Sequence, residues 1–192
     1  MQAARGASLS PSGPTHGDLR TRRTRSLLLV ALLVVPLYVL DLVTKVLAVA
    51  RLSGEPPVEV VGTIFTLQLA RNPGAAFSTG TEFTVALTWI SIGAVLVVLW
   101  LLRRLASPGW AVAFGFLLAG VLGNLTDRLF REPGPFRGHV IDFLAFPSFP
   151  IFNVADICIN VAAGVIILQA FRGVSVDGTR PGAAAPSDGD LA

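Results

Sequence analysis

Four aspartates lie within or beside strongly apolar stretches of this chain: Asp41, Asp127, Asp142 and Asp156. Lys45, Asn72, Asn124, Arg128 and Asn153 accompany them. Ionisable groups in apolar surroundings are costly, and they usually face a helix-bundle interior or a water-filled cavity. If Asp127, Asp142 and Asp156 gather in low dielectric, they cannot all stay charged at neutral pH, and at least one carboxyl pKa must rise. Two aspartates sharing one proton can do general acid–base work on an amide: the ionised one takes a proton from water and the neutral one donates to the carbonyl. On spacing alone Asp127 is as good a member of such a pair as Asp142. Asp41 and Lys45 stand at i and i+4 of one helix and read as a buried ion pair.

Other spacings bear on the same residues. Asn153, Asp156 and Asn160 fall on one helical stripe, at i, i+3 and i+7. Gly115, Ala119, Gly123 and Asp127 step by four, a small-residue ridge that lets another helix approach closely. Asn72 precedes Pro73-Gly74, where a turn role alone is the plainer reading. The lone Cys158 reads as a small buried residue. His16 and His139 have no ligand-spaced companions, so neither a metal centre nor a disulfide framework is expected.

The elements that must position these residues are membrane helices. Of 192 residues, 53% are hydrophobic and only 14% charged, with a mean hydropathy of +0.68. A soluble domain carries roughly 25% charged residues. The pI is near 10.0, yet apart from Lys45 the fifteen basic residues are all arginines, most of them flanking apolar runs. They show no basic face with interleaved aromatics, so no nucleic-acid partner is expected. Spans are predicted at about 27–50, 83–102, 110–129 and 154–171, each close to the ~20 residues a bilayer needs. Ala48-Val49-Ala50 resembles a cleavage site, but the apolar run before it is too long for a signal peptide, and the first helix is read as uncleaved. Residues 1–26 are predicted as a disordered tail, 27–172 as the membrane domain and 173–192 as a second disordered tail. Partial alternation at Val58, Val60, Ile64, Phe65, Leu67 and Leu69 predicts short strands between the first two spans.

Arginines at 20, 22, 23, 25, 103, 104 and 172 place both termini in the cytoplasm by the positive-inside rule. Four crossings then put residues 51–82 and 130–153 outside. Asp41 lies roughly 21 Å along the first helix, in the outer leaflet, and every embedded carboxylate comes to that same face.

Five segments now resemble a known family. Asp41-Leu42-Val43-Thr44-Lys45, Asn72-Pro73-Gly74-Ala75-Ala76-Phe77, Gly123-Asn124-Leu125-Thr126-Asp127-Arg128, Val140-Ile141-Asp142-Phe143 and Phe152-Asn153-Val154-Ala155-Asp156 look, in order, like the blocks of the lipoprotein signal peptidases (signal peptidase II). Leu42 stands where that family commonly has Gln. The resemblance implies an all-α membrane protein of four transmembrane helices, with a small extracytoplasmic β-rich cradle between helices 1 and 2 and a flexible cover formed by part of 130–153. It implies an intramembrane aspartic endopeptidase of the bacterial cytoplasmic membrane. Such an enzyme cuts diacylglyceryl-modified prolipoproteins before the lipidated cysteine, without cofactor or metal. The catalytic pair would be Asp142 and Asp156. Asn72, Gly123, Asn124, Asp127, Arg128 and Asn153 would shape the site, and Asp41 with Lys45 would position the first helix. Membrane lipids are expected partners, and a monomer is expected. The rival from another class is a small proton- or ion-coupled transporter, which would place its acids nearer the midplane and carry repeated halves.

Overall fold

The computed structural model describes residues 16–74 and 80–180, with side chains described over 20–74 and 83–180. Four helices carry the fold: α1 (His16–Leu52), α2 (Gly80–Leu101), α3 (Pro108–Phe130) and α4 (Val154–Phe171). All four are long and apolar enough to cross a membrane. A sheet of three strands, β1 (Val58–Val61), β2 (Phe65–Asn72) and β3 (Val140–Ala145), caps one end of the bundle in the order β1-β2-β3, with both pairs antiparallel.

α3 is the central helix: half of its span is buried, against 11% for α1 and for α2 and 22% for α4. Small residues make this possible. A Cβ added at Gly115 would lie 2.9 Å from Leu33 of α1, and one at Gly120 would meet the Ala155 carbonyl and lie 2.8 Å from Ile159 of α4. Gly115 and Gly123 of the small-residue ridge therefore face α1, while Gly120, off the ridge, makes room for α4.

Two apolar cores stand at opposite ends. At the end away from the sheet, Val30, Val98, Leu105, Ala111, Phe114 and Leu118 pack together. Beneath the sheet Ala48, Leu52, Ile141 and Phe143 form the second core. Between them lies a polar layer built on Asp41, Lys45, Asn124 and Asp127.

The structure corrects the expected boundaries in three places. α1 begins at His16, so residues 16–26 are helical and not a disordered tail. Arginine and leucine favour helix, and a helix already nucleated in the span extends at low cost. Residues 173–180 are likewise ordered. Ala106 and Ser107 donate their amides to the Val176 carbonyl (3.1 Å each) and Trp110 Nε1 donates to the Val174 carbonyl (2.7 Å). The remaining tail residues, and Ala75-Ala76-Phe77 of the second block, lie outside the described residues. The cradle, finally, takes its third strand, β3, from the segment between α3 and α4, part of which is expected to be a flexible cover, and not from between helices 1 and 2 alone.

Candidate active site

Asp142 sits on β3, opposite Ala70 of β2, while Asn72 stands opposite Val140. In an antiparallel pair this puts Asn72 and Asp142 on one face of the sheet as diagonal neighbours. A register shift between Leu67 and Ala70 sets that face. Asn72 Oδ1 accepts from the Gly74 amide (2.8 Å), which fixes the side-chain amide and leaves Nδ2 to donate to Asp142 Oδ2 (2.8 Å). Asn72 is thus both a turn residue and a partner of Asp142.

α4 supplies the second carboxylate. Asn153 is its N-cap, with extended backbone (φ −136°, ψ −177°) and a reciprocal capping box. The Asp156 amide donates to Asn153 Oδ1 (3.0 Å), and the Asn153 amide donates to Asp156 Oδ2 (3.1 Å). Because Oδ1 is occupied, Asn153 Nδ2 turns outward to Asp142 Oδ1 (2.6 Å) and Asn124 Oδ1 (3.2 Å). Asn124 Nδ2 in turn donates to Asp156 Oδ1 (2.9 Å). The carboxylates of Asp142 and Asp156 therefore converge, from a strand and a helix start, on one residue: the Asn153 side-chain amide holds the first and the Asn153 backbone amide the second.

Lys45 organises the layer below. Fully buried, it reaches Asp41 Oδ2 (2.8 Å), Asp127 Oδ2 (2.9 Å) and Asn124 Oδ1 (2.9 Å). The expected Asp41–Lys45 pair is present, and it also anchors α4, because Asp41 Oδ1 accepts the Ala155 amide (2.9 Å). Gly123 leaves room for this: a Cβ there would collide with the Asp41 carboxylate. Asp127 is saturated by Lys45, by Arg131 Nε and by the Ile141 amide (3.2 Å), which pins β3 to α3. Arg128 is buried, and its Nη1 has no hydrogen-bond partner among the described residues.

The ten residues singled out in the sequence thus fall in one region. Asn160 does not join them. It is exposed and donates to the Asp156 carbonyl (2.9 Å). Arg131 was missed as a partner, although its i+4 spacing from Asp127 was open to view. The backbone donors of Ala155 and Ile141 carry no sequence signal.

Burial is the dominant influence on Asp142, pushing it from an ordinary 3.8 up to about 6. The Asn72 and Asn153 donors oppose this shift, and the neighbouring Asp156 adds to it. Four carboxylates (Asp41, Asp127, Asp142 and Asp156) meet three cations (Lys45, Arg128 and Arg131) in this region. The group is electrically neutral when Asp142 and Asp156 hold one proton between them.

Residues 33–172 match a family model described as signal peptidase (SPase) II. The chain belongs to the signal peptidase II family. The lipoprotein signal peptidase of Mycobacterium avium (strain 104) is 47% identical over 168 residues, 87% of this chain and 91% of the relative. That of Streptomyces griseus is 44% identical over 174 residues, 91% and 87% of the two chains. That of Mycobacterium tuberculosis (strain H37Rv) is 45% identical over 166 residues, 86% and 81%. A solved structure of a bacterial membrane enzyme, obtained in meso at 1.9 Å, superposes with a TM-score of 0.65 at 25% identity, covering 78% of this chain and 94% of that one. A second, at 2.3 Å, gives 0.62. As a signal peptidase II family member the protein is a membrane protease, and the transporter alternative finds no support in these relatives.

Proposed function

We propose that this chain is an aspartic endopeptidase that removes signal peptides from diacylglyceryl-modified prolipoproteins, cutting immediately before the lipidated cysteine, with Asp142 and Asp156 as its catalytic pair. The observation that carries the reading is the convergence of both carboxylates on Asn153, at a place where electrical neutrality calls for one shared proton. Asp156 is placed to take the role of base: it lies in the first turn of α4, beside the positive end of the helix dipole, and its carboxylate accepts two hydrogen bonds. Asp142, raised by burial, is the better proton holder.

The chemistry follows from these roles. Asp156 takes a proton from water as its oxygen attacks the scissile carbonyl carbon, and Asp142 gives its proton to the carbonyl oxygen, forming a tetrahedral diol. Collapse breaks the C–N bond. The proton on Asp156 passes to the leaving amine, and a diol hydroxyl returns a proton to Asp142. Asn124 and Asn153 hold the carboxylates, Arg128 offers a buried donor to substrate carbonyls, and the Asp41–Lys45–Asp127 layer fixes α1, α3 and α4. The arginine-rich end faces the cytoplasm and the sheet faces outward, so the substrate enters from the outer leaflet.

The test is cleavage of a diacylglyceryl-modified prolipoprotein by purified protein in detergent. Asp142→Asn and Asp156→Asn are each expected to lose activity on the order of 10³-fold or more while remaining folded by circular dichroism. Normal turnover by both variants would sink the assignment of the pair.

A further inference from the structure

A cavity of about 290 Å³ lies at the end of the bundle opposite the sheet, lined by Arg22, Arg25, Ser26, Leu29, Ala106 and Pro108. The first four stand at i, i+3, i+4 and i+7 of α1, so a single helix face presents them. The other wall is the link from Arg104 into α3. That wall is held in place by residues 173–180: Ala106 and Ser107 both donate to the Val176 carbonyl, and Trp110 Nε1 donates to the Val174 carbonyl. Such a site needs little rearrangement to accept a ligand. A neighbouring hollow is lined, among the described residues, by Arg20, Thr21, Thr24 and Arg25 of α1.

The lining has a definite chemistry. Among the described residues, neither Arg22 nor Arg25 takes part in a salt bridge and no carboxylate lines the cavity. Asp177, on the segment behind the far wall, is occupied by the Thr179 amide and hydroxyl (3.0 and 2.7 Å). Among the described residues no carboxylate pairs with Arg22 or Arg25, and the Ser26 hydroxyl lies beside them on the cavity wall. Leu29 lies one turn further along α1, inside the apolar run, so the site is charged at its mouth and apolar at its inner end. α1 has 37 residues, roughly 55 Å of helix, and exceeds a hydrocarbon core of roughly 30 Å. The start of the apolar run near Leu27 therefore lies where lipid headgroups meet acyl chains. The volume sits at the lower end of small-ligand pockets, roughly 300–1,000 Å³, the scale of a headgroup and not of a whole lipid.

We propose that this cavity binds the phosphodiester headgroup of an anionic phospholipid, with Arg22 and Arg25 on the phosphate and the first acyl carbons against Leu29, Ala106 and Pro108. The bound lipid bridges α1 to the α2–α3 link and steadies the end of the bundle farthest from the active site. This site stands apart from the peptidase reading and does not depend on it.

Thermal unfolding of the full chain in neutral detergent tests it, with added phosphatidylglycerol, phosphatidylcholine or inorganic phosphate. The wild type is expected to gain stability with phosphatidylglycerol and not with the other two, because only a ligand that prefers the folded state raises its melting point. In Arg22→Gln/Arg25→Gln the concentration needed for a given shift rises on the order of tenfold or more. Arg23→Gln/Arg103→Gln, which removes the same charge from exposed positions outside this cavity, keeps the wild-type response. Equal loss in both double variants would mean a diffuse positive field and overturn the site. An equal shift with inorganic phosphate would mean a free-anion site and overturn the lipid. All four substituted arginines are exposed, so melting without added lipid should match the wild type. If a variant nonetheless fails to fold, the wild type decides: no preference for phosphatidylglycerol over phosphatidylcholine ends the proposal.

Discussion

Asp142 accepts hydrogen bonds from two amides and is still pushed up to about 6, because burial outweighs both donors. This has a signed consequence for stability. Below about pH 4 the group is protonated in both folded and unfolded chains and contributes nothing. As pH rises from 3.8 to about 6 the unfolded chain ionises first, so folding stability falls, by about 3 kcal/mol once both forms are ionised. Asp142→Asn cannot titrate. The stability of that variant relative to wild type is therefore expected to rise by about this amount between pH 4 and pH 7, read as the difference in detergent melting. A flat difference would mean an ordinary, solvated carboxylate. At this scale the sequence was largely legible, because a carboxylate near an apolar run has few reasons to be there. Asp127 was the ambiguous residue, and the partners that settle its geometry are a backbone amide and a side chain on the next turn. Asn160 misled for a specific reason. The stripe through Asn153 assumes helical geometry, but Asn153 is an extended cap whose side chain reaches across the helix start, so the projected face does not continue to residue 160.

Among the elements, the junction of α1, α3 and α4 depends on one missing side chain. Gly123 faces the Asp41 carboxylate, and a Cβ added there would also lie 3.0 Å from Asp41 Cγ and 3.3 Å from the Ala155 methyl. Asp41 cannot give way without releasing Lys45 or the Ala155 amide. Gly123→Ala is accordingly expected to destabilise by about 2–4 kcal/mol, through overpacking and a disturbed buried ion pair. Gly164→Ala in α4 meets nothing within 4 Å and should be neutral or stabilising by up to about 1 kcal/mol. Equal melting of the two variants would show that the close approach at Gly123 is not limiting. The four spans were legible because hydropathy alone sets their length. The third strand was not: prolines at 133, 135, 147 and 150 flank Val140–Ala145 and suggest a loop. What makes it a strand is pairing with β2, about 70 residues away in the chain, which no local pattern carries. The small-residue ridge was visible, but spacing could not say which helix it would meet.

For the whole molecule, access of substrate depends on which side of the membrane the sheet occupies. Every carboxylate of the site lies toward the sheet end, and the arginine clusters at 20–25, 103–104 and 172 lie at the other. Positive loops are retained in the cytoplasm, so the site should open outward, where a translocated signal segment would meet it. Cysteine labelling decides this cleanly, because the single native Cys158 is only 2% exposed. Glu55, between α1 and β1, and Ser175, after α4, are both exposed, and three spans separate them in the chain. In right-side-out membrane vesicles an impermeant maleimide is expected to label Glu55→Cys and not Ser175→Cys, with the pattern reversed in inside-out vesicles. Labelling of both from one side would contradict the four-span reading, since an odd number of crossings must separate the two positions. A clean but inverted pattern would keep the fold and move the carboxylates to the cytoplasmic face. Entry of the substrate from the outer leaflet would then be wrong, whatever the chemistry of Asp142 and Asp156.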